Sequence, residues 1–103
     1  MARMVTIFVK PTDVDAFDKH YFETHVPLAK KLPGLRKYEV SRGPIMTRGG
    51  VSDFHLVSIL HFDSLDAIKT AFVSPIGQEC GADRRHLAAD GDALMLLFED
   101  REL

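Results

Sequence analysis

FDKHYFETHVPLAKKLPGLRKYEV, residues 17–40, is the stretch on which the fold turns. Starting one turn upstream, Val14, Phe17, Tyr21, His25, Leu28 and Leu32 recur at spacings of three and four, which draws one apolar stripe along a helix. Thr12 or Asp13 offers the N-cap, and Asp13 and Asp15 sit where the helix dipole favours negative charge. His25 falls on the inward stripe, one turn after Tyr21. His20 and Glu23 fall on the wet side, so His20 and His25 are expected to point to different sides of the helix. Pro27 removes a backbone bond and biases Val26 away from helical angles, which predicts a kink or a helix restarting with Pro27 in its first turn. Leu32-Pro33-Gly34 then ends the helix with a breaker and a residue tolerant of positive φ. Leu35–Arg42 reads as a strand with Lys37 and Glu39 on one face and Arg36, Tyr38 and Val40 on the other, polar enough for a sheet edge.

Outward from this unit, Met4–Lys10 is a strand closed by Pro11, with Val5, Ile7 and Val9 on one face and Met4 and Phe8 on the other. Gly43–Ser52, carrying Pro44, Gly49 and Gly50, predicts a long mobile connection. Asp53–Asp63 contains FHLVSILHF, a strand apolar on both faces. Ser64 caps a second helix with Leu65, Ile68 and Phe72 inward, Ser74-Pro75 interrupts it, and Ile76–Ala89 predicts a second, shorter helical piece weakened by Gly77 and Gly81. After the turn Asp90-Gly91-Asp92, Ala93–Phe98 is the last strand, again apolar on both faces. The order strand, helix, strand, strand, helix, strand specifies an α+β, ferredoxin-like βαββαβ unit: a four-stranded antiparallel sheet with both helices on one face. Three strands nevertheless carry apolar side chains on both faces, and a bare apolar sheet face is rare on a soluble monomer. A homodimer, sheet packed on sheet about a two-fold axis, is the simplest way to cover it.

Residues 1–103 are expected to form a single domain, because there is no material for a second core. The net charge is −2 with both signs interspersed, which removes nucleic acid from the expected partners and argues against a disordered tail. Cys80 is the only cysteine, so no internal disulfide is possible and the reducing cytoplasm is the expected compartment. MARMVTIFVK is too short and strand-like for a signal peptide, and no apolar run approaches the roughly 18 residues of a membrane span.

Among side chains that carry chemistry, His25 stands first, since an imidazole can take and return a proton near neutral pH. Its bland counterpart is a core histidine bonded to a carbonyl freed by Pro27. Tyr38 is either a donor to a developing enolate oxygen or an edge-strand aromatic, and Tyr21 either orients His25 and touches a ligand or simply packs. His55 and His61 share a strand face but lie six residues apart, roughly 20 Å, so one metal cannot bind both and no metal site is expected. Asp83-Arg84-Arg85-His86 reads as a solvated helical patch, although an arginine turned inward would meet an anionic substrate. Cys80 reads as a small buried hydrophobe with no adjacent histidine to activate it. Gly49-Gly50 lacks the flanking strand and helix of a nucleotide fingerprint, and no cofactor is expected.

The run Tyr21-x-x-x-His25-x-Pro27-Leu28, then Leu32-Pro33-Gly34-Leu35 and the aromatic Tyr38, with Ser74-Pro75-x-Gly77-Gln78 further on, resembles the EthD family of dimeric α/β-barrel proteins, named after ethyl tert-butyl ether degradation. The likeness spans essentially the whole chain. It implies a dimeric barrel with one pocket per subunit between helices and sheet, lined by His25. Relatives such as methylmuconolactone isomerases and fungal polyketide dehydratases or cyclases use such a histidine in proton transfers on small cyclic or aromatic compounds, whereas the name-giving protein accompanies a cytochrome P450 system. The implied function is a cofactor-independent isomerase, dehydratase or cyclase with His25 as acid/base and a small apolar or aromatic metabolite as ligand, to which the residue reading adds Tyr38 on the enolate oxygen. Two other readings stay open: a non-catalytic binding or accessory protein for an oxidase, and a cofactor-free or haem monooxygenase.

Overall fold

Side-chain alternation sorts the strands of the computed structural model, which describes residues 1–103. Along β1 (Ala2–Val9), Ala2, Met4, Thr6 and Phe8 are buried, while Arg3, Val5 and Ile7 are half-buried on the other face. In β5 (Phe54–Phe62) the inward set is Leu56, Ser58, Leu60 and Phe62. The two strands pair antiparallel from Ala2 opposite Phe62 to Phe8 opposite Leu56. β6 (Ala93–Glu99) adds to the far side of β1, and β2 (Lys37–Val40) to the far side of β5. The order β2-β5-β1-β6, with the helices on one side, is the ferredoxin-like α+β fold. β2 is shorter than the expected Leu35–Arg42, although the Arg36 and Ser41 N–H groups still donate to His61 and Val57 carbonyls at 2.8 Å.

The helical layer begins with α1 (Val14–His20), capped by Asp13, whose carboxylate accepts from the Ala16 N–H at 3.0 Å. Of the two expectations at Pro27, a kink or a restart, the structure shows the restart, reached without a gap in the helical backbone. Tyr21–His25 forms a π turn, in which the Val26 N–H reaches back five residues to the Tyr21 carbonyl, and α2 (Val26–Ala29) follows with Pro27 in its first turn. In a regular α-helix the proline ring would press on the carbonyl four residues earlier; a wider turn upstream relieves that contact. Gly34 closes the unit at φ +80, as the sequence requires.

Two expectations are corrected. Residues 43–52 are not an open connection, because β3 (Met46–Thr47) and β4 (Gly50–Val51) form a small hairpin held by the Thr47 hydroxyl on the Gly50 carbonyl. The last helical piece is the longer one: α3 (Leu65–Val73) has nine residues and α4 (Pro75–Leu87) thirteen. Ser74-Pro75 is a helix start, with the serine hydroxyl accepting from the Gly77 N–H at 3.1 Å and proline in the first turn, where its missing N–H does no harm. Gly77 is what lets α4 fold back on α3, since a Cβ there would lie 2.2 Å from the Ala71 carbonyl oxygen and 2.4 Å from the Phe72 Cα.

Between sheet and helices the core falls into two clusters. One gathers Met4, Leu32, Leu60, Phe62, Ile68 and Cys80; the other stacks Phe8, Phe17 and Tyr21 on Leu56 and Leu87. The opposite face of the sheet carries no helix. There Val5 lies between Ile59 and Leu96, and Ile7 between Val57 and Leu94, with Leu94 56% exposed and Leu96 44% exposed. One end of that face is polar: Glu39 meets His61 at 2.6 Å, and Arg3 bonds Asp100. No helix is long and apolar enough to cross a membrane.

Candidate functional site

A cavity of about 340 Å³ opens where the two core clusters meet, floored by β1 and β5 and walled by α2 and α4. Its apolar lining includes Met4, Phe8, Leu32, Leu60 and Phe72; its polar lining includes His25, Tyr38, Ser58 and Arg84. His25 and Tyr38 therefore share one cavity. They arrive from different elements, His25 from the end of the π turn and Tyr38 from the inward face of edge strand β2.

The His25 Nδ1 lies 2.7 Å from Oδ2 of Asp83, a residue of α4. The other oxygen of the same carboxylate lies 2.7 Å from the His20 Nε2. This corrects the expectation that His20 and His25 diverge. Five residues of regular α-helix would separate them around the axis, but the π turn takes in an extra residue and brings both to the α4 side. The expectation of a solvated Asp83 is corrected with it, since only 14% of its side chain is exposed.

Burial pushes the His25 pKa down, and it outweighs the opposing pull of Asp83, so the imidazole is neutral at neutral pH. For Asp83 burial pushes up, but the hydrogen bonds from His20 and His25 together hold the carboxyl below its ordinary range. A neutral imidazole beside an ionised carboxylate puts the proton on Nδ1, as donor, and leaves a lone pair on Nε2. Nε2 has no hydrogen-bond partner in the protein and is not sealed off, and it belongs to a ring that lines the cavity.

Tyr21 does not line the cavity. It is 1% exposed, stacks on the His25 ring at 5.3 Å between centroids, and holds the Tyr38 hydroxyl at 2.6 Å. Burial first, and then the neighbouring Tyr21, push the Tyr38 phenol far up, so it stays protonated. When Tyr21 donates to Tyr38, the Tyr38 proton is left free for an oxygen in the cavity.

The other side chains singled out in the sequence fall as follows. His55 and His61 do not share a face. The β1–β5 pairing jumps at Val9 from Leu56 to Phe54, and His55, left unmatched by this bulge, turns to the helices, bonding Asp18 at 2.7 Å and standing edge-on to Phe17. No group of three or more His, Cys, Asp or Glu is placed to hold a metal ion. Cys80 lines the cavity at 3% exposure, with burial foremost pushing its thiol up to about 11. Arg84 turns inward, 13% exposed, with Nη1 on the Ala88 carbonyl and Nη2 on Asp90. Arg84 is the inward arginine that the sequence left open, whereas Asp83 was read as solvated; a signal for both was present, since they follow Gly77 and Cys80 and precede Leu87 at spacings of three and four, on the face that α4 buries.

The EthD domain matches residues 10–91. An uncharacterized 11.0 kDa protein from the thcB-thcC intergenic region of Rhodococcus erythropolis is 32% identical over 102 residues, 99% of this chain and 96% of its own. The crystal structure of an ethyl tert-butyl ether degradation (EthD) family protein from Bacillus halodurans is 31% identical, covers 98% of this chain and 99% of its own, and superposes with a TM-score of 0.89. A hydroxynitrile lyase from Passiflora edulis, 13% identical, covers 99% of this chain and 94% of its own with a TM-score of 0.76, and shares the fold.

Proposed function

The chain belongs to the EthD family, and from that premise we propose that it is a cofactor-independent proton-transfer enzyme of small-molecule metabolism, an isomerase, dehydratase or cyclase acting on a small cyclic or aromatic carbonyl compound. The observation that carries this reading is the open Nε2 of a neutral, carboxylate-held His25 in the same apolar cavity as a protonated Tyr38. Nε2 removes a proton from the carbon next to the carbonyl. Tyr38 donates a hydrogen bond to the enolate oxygen as charge moves onto it, and the imidazolium formed on His25 is stabilised by Asp83. The proton then returns from Nε2 to another atom of the same substrate, or leaves with a departing hydroxyl as water. A positioned base contributes on the order of 10²–10⁴ in rate, and the apolar lining keeps water from competing for the enolate.

The working form in this proposal is a homodimer in the cytoplasm, joined through the bare sheet face. Seven apolar side chains, Val5, Ile7, Val57, Ile59, Leu94, Leu96 and Phe98, lie on that face, which supports pairing with a second copy. Catalytic cavity and interface then occupy opposite sides of the sheet.

The test is deuterium uptake. Lactones, cyclic ketones and aryl ketones that raise the melting temperature are incubated with the protein in D₂O, and exchange at carbon next to the carbonyl is followed by proton NMR. The expected result is protein-dependent exchange that His25→Gln abolishes while its fold, ligand binding and association persist. Exchange retained in His25→Gln overturns the reading. Binding without exchange in the unaltered protein replaces it with a carrier role.

A further inference from the structure

Arg84 is not needed for the proton transfer, yet it is the most enclosed cation of the cavity. Its side chain is 13% exposed, it belongs to the cavity wall, and it follows Asp83 directly on α4. A guanidinium offers five N–H donors. Here Nη1 reaches the Ala88 carbonyl at 3.3 Å, and Nη2 reaches Asp90, leaving donors over. The ion pair is lopsided, because the Asp90 side chain is 83% exposed on the short 3₁₀ turn Asp90–Asp92 at the cavity rim. An enclosed guanidinium needs an anionic partner, whereas a solvated carboxylate loses little on leaving one. Arg85, also on the rim, makes no ion pair within the protein, and Asp83 is already held by two histidines. The free positive charge at the rim is thus larger than the negative.

We infer that Arg84 is a specificity-determining residue that binds the carboxylate of an anionic substrate, and that Asp90 is the partner this carboxylate displaces. The ligand class is a small apolar ring or chain bearing a carboxylate at the Arg84 end and a carbonyl toward Tyr38. The inference rests on the proposed proton transfer for where the reacting carbon sits, though not for the binding of the anion. The competing account makes Arg84 a staple between the end of α4 and the 3₁₀ turn and nothing more. The two accounts differ over Asp90: as a staple partner its charge is useful, and as a displaced partner its charge competes with the ligand.

The experiment is titration calorimetry of the whole chain with matched pairs, 4-oxocyclohexanecarboxylate against its methyl ester and benzoate against methyl benzoate. Unaltered protein is expected to prefer the acids by about tenfold or more, the scale of a charge-assisted bidentate pair. Arg84→Gln erases that preference and leaves ester binding in place, and Asp90→Asn tightens acid binding several-fold while leaving the esters alone. Because Arg84→Gln removes a wall residue and can unfold the protein, Asp90→Asn, a substitution at the exposed rim, decides the matter by itself. Esters bound as tightly as acids, acid binding unchanged or weakened in Asp90→Asn, or no binding of either member overturns the inference. Deuterium exchange in the same samples separates the two claims. Acid preference without exchange keeps this inference and removes the proposed reaction, while exchange with no acid preference does the reverse.

Discussion

Asp83→Asn preserves shape and removes one negative charge from between two imidazoles. In the native protein that charge sits 2.7 Å from the His25 Nδ1, with 11% of the histidine side chain and 14% of the aspartate side chain exposed, so solvent screens the pair little. A hydrogen bond to a charged group contributes about 1.5–3 kcal/mol. At about 1.4 kcal/mol per factor of ten, losing it from the imidazolium formed during proton transfer slows that step by about ten- to a hundredfold. The amide oxygen can still accept from Nδ1–H, which pulls the loss toward the smaller figure. An amide turned the other way would donate to Nδ1, place the proton on Nε2 and deepen the loss. The sign on pH follows from the same contacts: burial lowers the His25 pKa and Asp83 raises it, so removing the charge lowers it further. Deuterium uptake against pH should show a lower plateau and an acid limb moved to lower pH, and NMR titration of the His25 ring should move the same way. An unchanged plateau in a folded variant, or a His25 titration that stays put or moves up, would refute the reasoning.

Three further expectations follow from particular contacts. Gly77→Ala drives a methyl group into backbone atoms of Ala71 and Phe72 that cannot step aside; a cost of about 1–3 kcal/mol is expected, read by calorimetry as a fall of about 4–8 °C in Tm for each kcal/mol, and an unmoved Tm counts against this packing account. Because the folded pKa of His25 lies below its ordinary value, the unfolded chain binds the extra proton first, so stability starts to drop as pH falls through about 6.5 and goes on dropping until the lower, folded pKa is passed. His25→Gln should flatten that slope in urea melts, and an equally steep slope would place the titrating group elsewhere. Ile59→Glu puts a carboxylate in the middle of the bare sheet face beside Val5; sedimentation should find a monomer with the cavity's ligand binding retained, and an undisturbed dimer would mean that association uses another surface.

The sheet was readable from residues because the strands keep a period of two, apart from one residue of β5, and the main strands are apolar on both sides; a face with no helix to cover it follows from counting two helices. His25 and Tyr38 were readable because each lies on the inward face of its own element. Asp83 was not, since the contact joining residues 25 and 83 is tertiary and the polar run Asp83-Arg84-Arg85-His86 has the composition of a wet surface. The side on which His20 points was misread for a local reason, as one π turn changes the angular position of everything before it. Likewise one unmatched residue in β5 was enough to take His55 off the face it would share with His61. In both cases a single residue out of step with a regular period moved a side chain to the opposite surface.

That π turn also separates what the helix asks of its letters from what it asks of its count. Phe22, Glu23 and Thr24 are all exposed, and they lie between buried Tyr21 and buried His25. None of them lines the cavity, and apart from Phe22, whose ring stands edge-on to Tyr21, substitutions among them should pass unnoticed. Their number is another matter. Removing any one of them restores the shorter turn and rotates Phe17 and His20 away from the aromatic cluster and from Asp83 together. The segment is a spacer of fixed length, tolerant of spelling and intolerant of deletion, and a scan that pairs substitutions with single-residue deletions across positions 22–24 would see the two responses diverge.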